Sequence, residues 1–107
     1  MKLTLALAQI NTQLGNVDAN LEKPLTLAHR AWTSGAELLI FPELSLTGYV
    51  LQDIAATVAR RPSEHDPVFR RLLHASKDVD MVVGFVEEDA RYRCYISAAY
   101  LSEGRVV

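Results

Sequence analysis

A single cysteine, Cys94, stands among the 107 residues, so the chain can form no internal disulfide and no thiol-based metal cluster. That scarcity fits a reducing, cytoplasmic setting. Charge of one sign is equally scarce. Eleven lysines and arginines face 13 aspartates and glutamates, and no run of like charge makes a patch that tracks phosphates. Nucleic acid is therefore not expected as a partner. No stretch nears the ~20 apolar residues of a membrane-spanning helix, and no membrane partner is expected either. The start, Met1-Lys2 followed by residues 3–8, is too short in its apolar part for a secretory signal and has almost no basic lead. Its Leu3, Leu5 and Leu7 alternate as strand residues do. Repeats and low-complexity segments are also lacking. What is present is apolar: half the residues are hydrophobic, enough for the core of one domain and too much for disorder.

Along the chain, a first strand is predicted over residues 3–10, followed by a polar turn from Asn11 to Asn16 with Asp18 or Asn20 placed to cap a helix. Leu21, Leu25, Ala28 and Trp32 recur on one helical face, and Gly35 suits the left-handed position past the helix end, which puts helix one at about 19–34. Trp32 is expected in the core. The continuous run Leu38-Leu39-Ile40-Phe41 reads as a strand buried on both faces, stopped by Pro42, which cannot donate to a sheet. Gly48 marks a turn, and residues 51–59 suit a short helix with Leu51, Ile54, Ala55 and Val58 inward. Asp66-Pro67 is a helix start, with Val68, Phe69, Leu72 and Leu73 as the apolar face of a helix reaching Lys77. Strands are expected at 81–86 and 93–101, paired as a hairpin, with Ser102-Glu103-Gly104 turning tightly into Arg105-Val106-Val107. This order makes the fold class α/β. A final strand of three residues has little to pair with, so a continuation past Val107 is expected.

Chemistry concentrates in Phe41-Pro42-Glu43-Leu44-Ser45-Leu46-Thr47-Gly48-Tyr49. Ligands of open α/β sheets sit beyond the carboxyl ends of strands, where Glu43 falls. A carboxylate partly desolvated there suits general-base work. Position alone favours an ordinary loop acid. His29, His65 and His74 show no ligand spacing, so no metal is expected; no cofactor is expected either. The basic pairs Arg60-Arg61 and Arg70-Arg71 read as solvated faces, Asp53 as a surface or helix-start acid, and Cys94 as a small buried thiol.

The string Phe41-Pro42-Glu43-Leu44 with Thr47-Gly48-Tyr49 resembles the glutamate motif of the nitrilase superfamily of carbon-nitrogen hydrolases. Ala8-Gln9, Asn20-Leu21, Gly35-Ala36-Glu37, Val83-Gly84-Phe85, and Tyr95 with Ser97-Ala98 are similar to the family's amino-terminal half in the same order, across nearly the whole chain. The resemblance implies that residues 1–107 are the amino-terminal part of a four-layer α-β-β-α sandwich, truncated at its carboxyl end, with a Glu-Lys-Cys triad. The cysteine would attack an amide or nitrile carbon, with Glu43 as its base and a lysine stabilising the oxyanion. Neither Lys2, Lys23 nor Lys77 matches the family lysine, and Cys94 is not the nucleophile. The missing pair is expected beyond Val107, and the 107 residues alone are expected to be inactive.

The same resemblance implies a small-molecule amide or nitrile substrate, Tyr49 at the substrate pocket, and homo-oligomers. Ile96 departs from it, since the family commonly has asparagine there. Gly48-Tyr49 followed by an acid four residues on leans toward glutaminase domains that feed ammonia to a synthetase. A non-catalytic α/β binding or assembly domain, or an unrelated small α/β domain complete at Val107, are the rivals from other classes.

Overall fold

The computed structural model describes residues 3–46 and 58–107. Thr47, Gly48, Tyr49 and Asp53, and the short helix expected at 51–59 except its last two residues, lie outside them. Among the described residues, seven elements follow in chain order: β1 (Leu5–Leu7), α1 (Val17–Thr33), β2 (Leu38–Ile40), α2 (Pro67–Ala75), β3 (Asp80–Glu88), β4 (Cys94–Ser102) and β5 (Arg105–Val106). The strands form one five-stranded sheet in the order β1-β2-β3-β4-β5. The first three are parallel, and β4 and β5 return antiparallel. The α/β class is thus realised as two layers, a sheet and the helices on one of its faces.

The helix ends follow from local chemistry. Asn16, and neither Asp18 nor Asn20, caps α1: its side chain accepts from the Ala19 N–H at 3.1 Å. The helix therefore begins two residues earlier than the sequence predicts. Its buried face is Val17, Asn20, Leu21, Pro24, Ala28 and Ala31, rotated from the predicted stripe. Trp32 falls outside it and is 50% exposed, its ring 6.1 Å from that of His29. Trp32 is therefore not a core residue. For α2 the reading holds, with the Asp66 carboxylate accepting from the Val68 and Phe69 N–H groups at 3.1 and 3.0 Å ahead of Pro67.

The core lies between helices and sheet. Leu21, Phe69, Leu72, Met81, Val83, Phe85 and Leu101 meet there, and the Phe69 and Phe85 rings pack edge to face at 4.8 Å. At the hairpin between β4 and β5, Glu103 and Gly104 both take positive φ, 51° and 79°. That pair matches the right-handed twist of the strands it joins. Arg60 is not a freely solvated charge: it pairs with Asp66 at 3.3 Å, and its backbone bridges to the end of β3. Arg61, Arg70 and Arg71 are exposed.

Candidate active site at the carboxyl end of β2

The parallel pairing of β2 with β3 carries the chain outward to Phe41, whose N–H still donates to the Val82 carbonyl at 3.0 Å. Pro42 has no N–H to continue the ladder, so the backbone leaves the sheet and turns through residues 43–46. Glu43 begins that turn, beyond the strand end as the sequence predicts. Its neighbour Leu44 is buried in a left-handed conformation, φ 53°. A branched apolar residue holds such a conformation only where its surroundings over-determine it.

Three contacts supply that determination. Gly84 of β3 lies directly under the turn: a Cβ there would stand 2.6 Å from the Leu44 nitrogen and 2.9 Å from both the Glu43 Cα and the Pro42 carbonyl oxygen. All three are backbone atoms, so only glycine admits this close approach. The Gly84 carbonyl accepts from the buried Ser45 hydroxyl at 3.3 Å and from the Leu46 N–H at 3.4 Å. From the helix side, the Asn20 amide donates to the Leu46 carbonyl at 2.8 Å.

Glu43 itself is exposed. It borders a depression of about 440 Å³ whose walls include Pro42, Val82, Gly84, Ile96 and Ala98. Ile96, the position that departs from the family pattern, thus sits on the wall of the candidate site. A larger depression of about 520 Å³ lies on the outer side of the helices, among His29, Arg70, Arg71 and His74, and is remote from the strand ends where α/β sites form.

Cys94 is exposed at the start of β4, not buried. It pairs with Glu88 at the carboxyl end of β3, two residues from Ile96 along β4, roughly 7 Å at the rise of a strand. The three histidines are exposed as well. Farther along the same sheet face, Asp80 accepts from the Tyr100 and Ser102 hydroxyls, both at 2.7 Å. That bond to Asp80 pushes the Tyr100 hydroxyl up from its ordinary value. Tyr49 lies outside the described residues.

The sequence names Asn20 as a cap candidate and Ser45 and Gly84 within matching strings, but not their part in holding the turn. Asn20 left a signal, because it interrupts an apolar helical face, and a buried amide must be hydrogen-bonded. Gly84 and Ser45 left none of this kind, since their partners are 39 or more residues away in the chain.

An acid just beyond the carboxyl end of a strand in an α/β layer stands where ligands of such sheets bind. Residues 4–107 match the carbon-nitrogen hydrolase family, and the chain belongs to it. It is 36% identical over 106 residues to the glutamine-dependent NAD(+) synthetase of Acinetobacter baylyi, covering 96% of this chain and 19% of that protein. Among solved structures, the glutamine-dependent NAD+ synthetase of Acinetobacter baumannii superposes with a TM-score of 0.77 at 34% identity, over 96% of this chain and 19% of the other. An amidase from Nesterenkonia sp. superposes with a TM-score of 0.82 at 28% identity, over 98% of this chain and 40% of the other. The chain thus spans about a fifth of the length of the curated relatives it matches. These nitrilase-superfamily proteins have an α-β-β-α sandwich, and the mixed α/β arrangement of this chain superposes on part of it. No helix among the described residues is long and apolar enough to cross a membrane.

Proposed function

We propose that this chain forms part of a glutamine-hydrolysing site in which Glu43 is the general base. The observation that carries the reading is Glu43 at the carboxyl end of β2, on a turn braced by Gly84 and Asn20, in a chain that matches the carbon-nitrogen hydrolases from residue 4 to residue 107. Similarity to glutamine-dependent NAD(+) synthetases favours the side-chain amide of glutamine over other amides and nitriles. The chemistry asks for a thiol and a cation that residues 1–107 do not supply at this site. They come from the remainder of the triad, a cysteine and a lysine outside these residues.

In this scheme Glu43 takes the thiol proton, and the thiolate bonds to the amide carbon. The C–N bond breaks and ammonia leaves with the proton returned by Glu43. Water then cleaves the thioester to the free acid, again with Glu43 as base. The lysine holds the oxyanion by its charge. Tyr49 borders the substrate, and the ammonia serves a second site in the same protein.

The test uses the full-length protein from the native gene, with glutamate and ammonia release from glutamine as the readout. Glu43→Gln is expected to lower the rate by on the order of 10²- to 10⁴-fold. Retention of the wild-type rate overturns the base role. Turnover of simple aliphatic amides without turnover of glutamine supports the free-standing amidase reading instead. A full-length sequence lacking any later cysteine supports the non-catalytic rival.

A further inference from the structure

We infer that Asn20 is a positioning residue for Glu43, acting through the backbone of the 43–46 turn; the inference rests on the proposed role of Glu43. Asn20 has no exposed surface and does not cap α1, since Asn16 does. Its side chain is nonetheless fully engaged. Nδ2 donates to the Leu46 carbonyl at 2.8 Å and to the Gln13 carbonyl at 2.7 Å, and Oδ1 accepts from the Gln13 N–H at 2.7 Å. One amide thereby fastens the loop after β1 to the far end of the turn that begins at Glu43.

Two features of the turn make that fastening matter. Leu44 is held at φ 53°, a conformation the chain relaxes out of when its supports are removed. The opposite support is the Gly84 carbonyl, whose bonds to Ser45 and Leu46 are long, 3.3 and 3.4 Å. The shorter Asn20 bond to Leu46, buried and away from water, is the stronger brace. A leucine at position 20 would fill the apolar face of α1 equally well but would leave the Gln13 and Leu46 carbonyls without this donor. The polar residue is explained by holding the turn, and the turn carries the carboxylate.

The deciding variant is Asn20→Asp in the full-length protein. It keeps the shape of the side chain but sets an acceptor oxygen against the Leu46 and Gln13 carbonyls. Displacing the carboxylate from its thiol is expected to lower kcat for glutamine hydrolysis on the order of 10- to 100-fold, with KM changed about twofold or less. Should Asn20→Asp fail to fold, Asn20→Ser reads the same quantity with no added charge.

Two comparisons separate positioning from stability. Leu72→Ala, in the core of α2 and away from the turn, is expected to lower Tm at least as much while leaving kcat near wild type. In a Glu43→Gln background, Asn20→Asp is expected to add no further loss in single-turnover rate, because the group it positions is gone. A kcat unchanged by the Asn20 variants, or losses that multiply in the double variant, overturns the inference while leaving Glu43 as base. A Glu43→Gln protein with the wild-type rate overturns both.

Discussion

The two faces of the sheet are made by alternate residues of the same strands, yet they have opposite fates. On the helix side Met81, Val83, Phe85 and Leu101 are sealed under α1 and α2. On the other side Leu5, Leu7, Ile96 and Tyr100 are exposed, Leu7 at 76% and Ile96 at 63%. Strand geometry sends neighbours to opposite faces, so an apolar run such as Leu38-Leu39-Ile40 commits the chain to covering both. Contiguous exposed apolar surface marks a face built to be covered. Glu43 borders a depression on that face, whereas the packed core of the described residues lies on the helix side.

The comparison breaks first at Phe69. Wholly buried against Phe85, it is expected to cost about 3–5 kcal/mol on Phe69→Ala, measured by urea unfolding. A cost near zero would mean that the helix layer is not the stabilising one. Leu7→Ala sharpens the contrast because one substitution reads two contexts. In the 107-residue chain its effect is expected within about 0.5 kcal/mol. In the full-length protein, with the face covered, it should reach at least about 2 kcal/mol. Equal small effects in both would show that the face stays bare.

The smallest effect belongs to neither face. At the tip of the β3–β4 hairpin, the Arg93 backbone N–H foremost, then the Arg93 side chain, the Arg91 N–H and the Tyr95 hydroxyl, hold the Asp89 carboxylate at about 2, below its ordinary 3.8. A depressed carboxylate stabilises the folded state above its unfolded value, and that contribution is lost as pH falls through the folded one. The hairpin should therefore lose a small increment between about pH 4 and pH 2. Amide exchange at Tyr92 and Arg93 reads it, and Asp89→Asn should remove the pH dependence.

Much of this arrangement is legible from local signals. Asp66-Pro67 marks the start of α2, Gly35 the end of α1, and Glu103-Gly104 the tight hairpin, because caps and turns are decided by residues a few positions apart. The place of Glu43 follows from Pro42, which must end a strand. The misplacements have equally definite causes. Trp32 shares a helical period with Leu21 and Leu25, but the burial stripe of α1 is set by where the sheet lies, and that stripe passes through Asn20 and Pro24. A small thiol such as Cys94 is expected to be buried, whereas burial on β4 depends on which face has a covering layer.

By itself the sequence determined the element order, the α/β class and the acid at the end of β2, since each rests on the short-range rules of capping, alternation and proline's missing donor. Only the tertiary structure decided that Asn20 and Gly84 meet the Glu43 turn and that Leu7 and Ile96 are exposed on one sheet face. Those outcomes depend on residues far apart in the chain, such as Asn20 and Leu46 or Ser45 and Gly84, whose approach is fixed by packing and strand register rather than by any local preference.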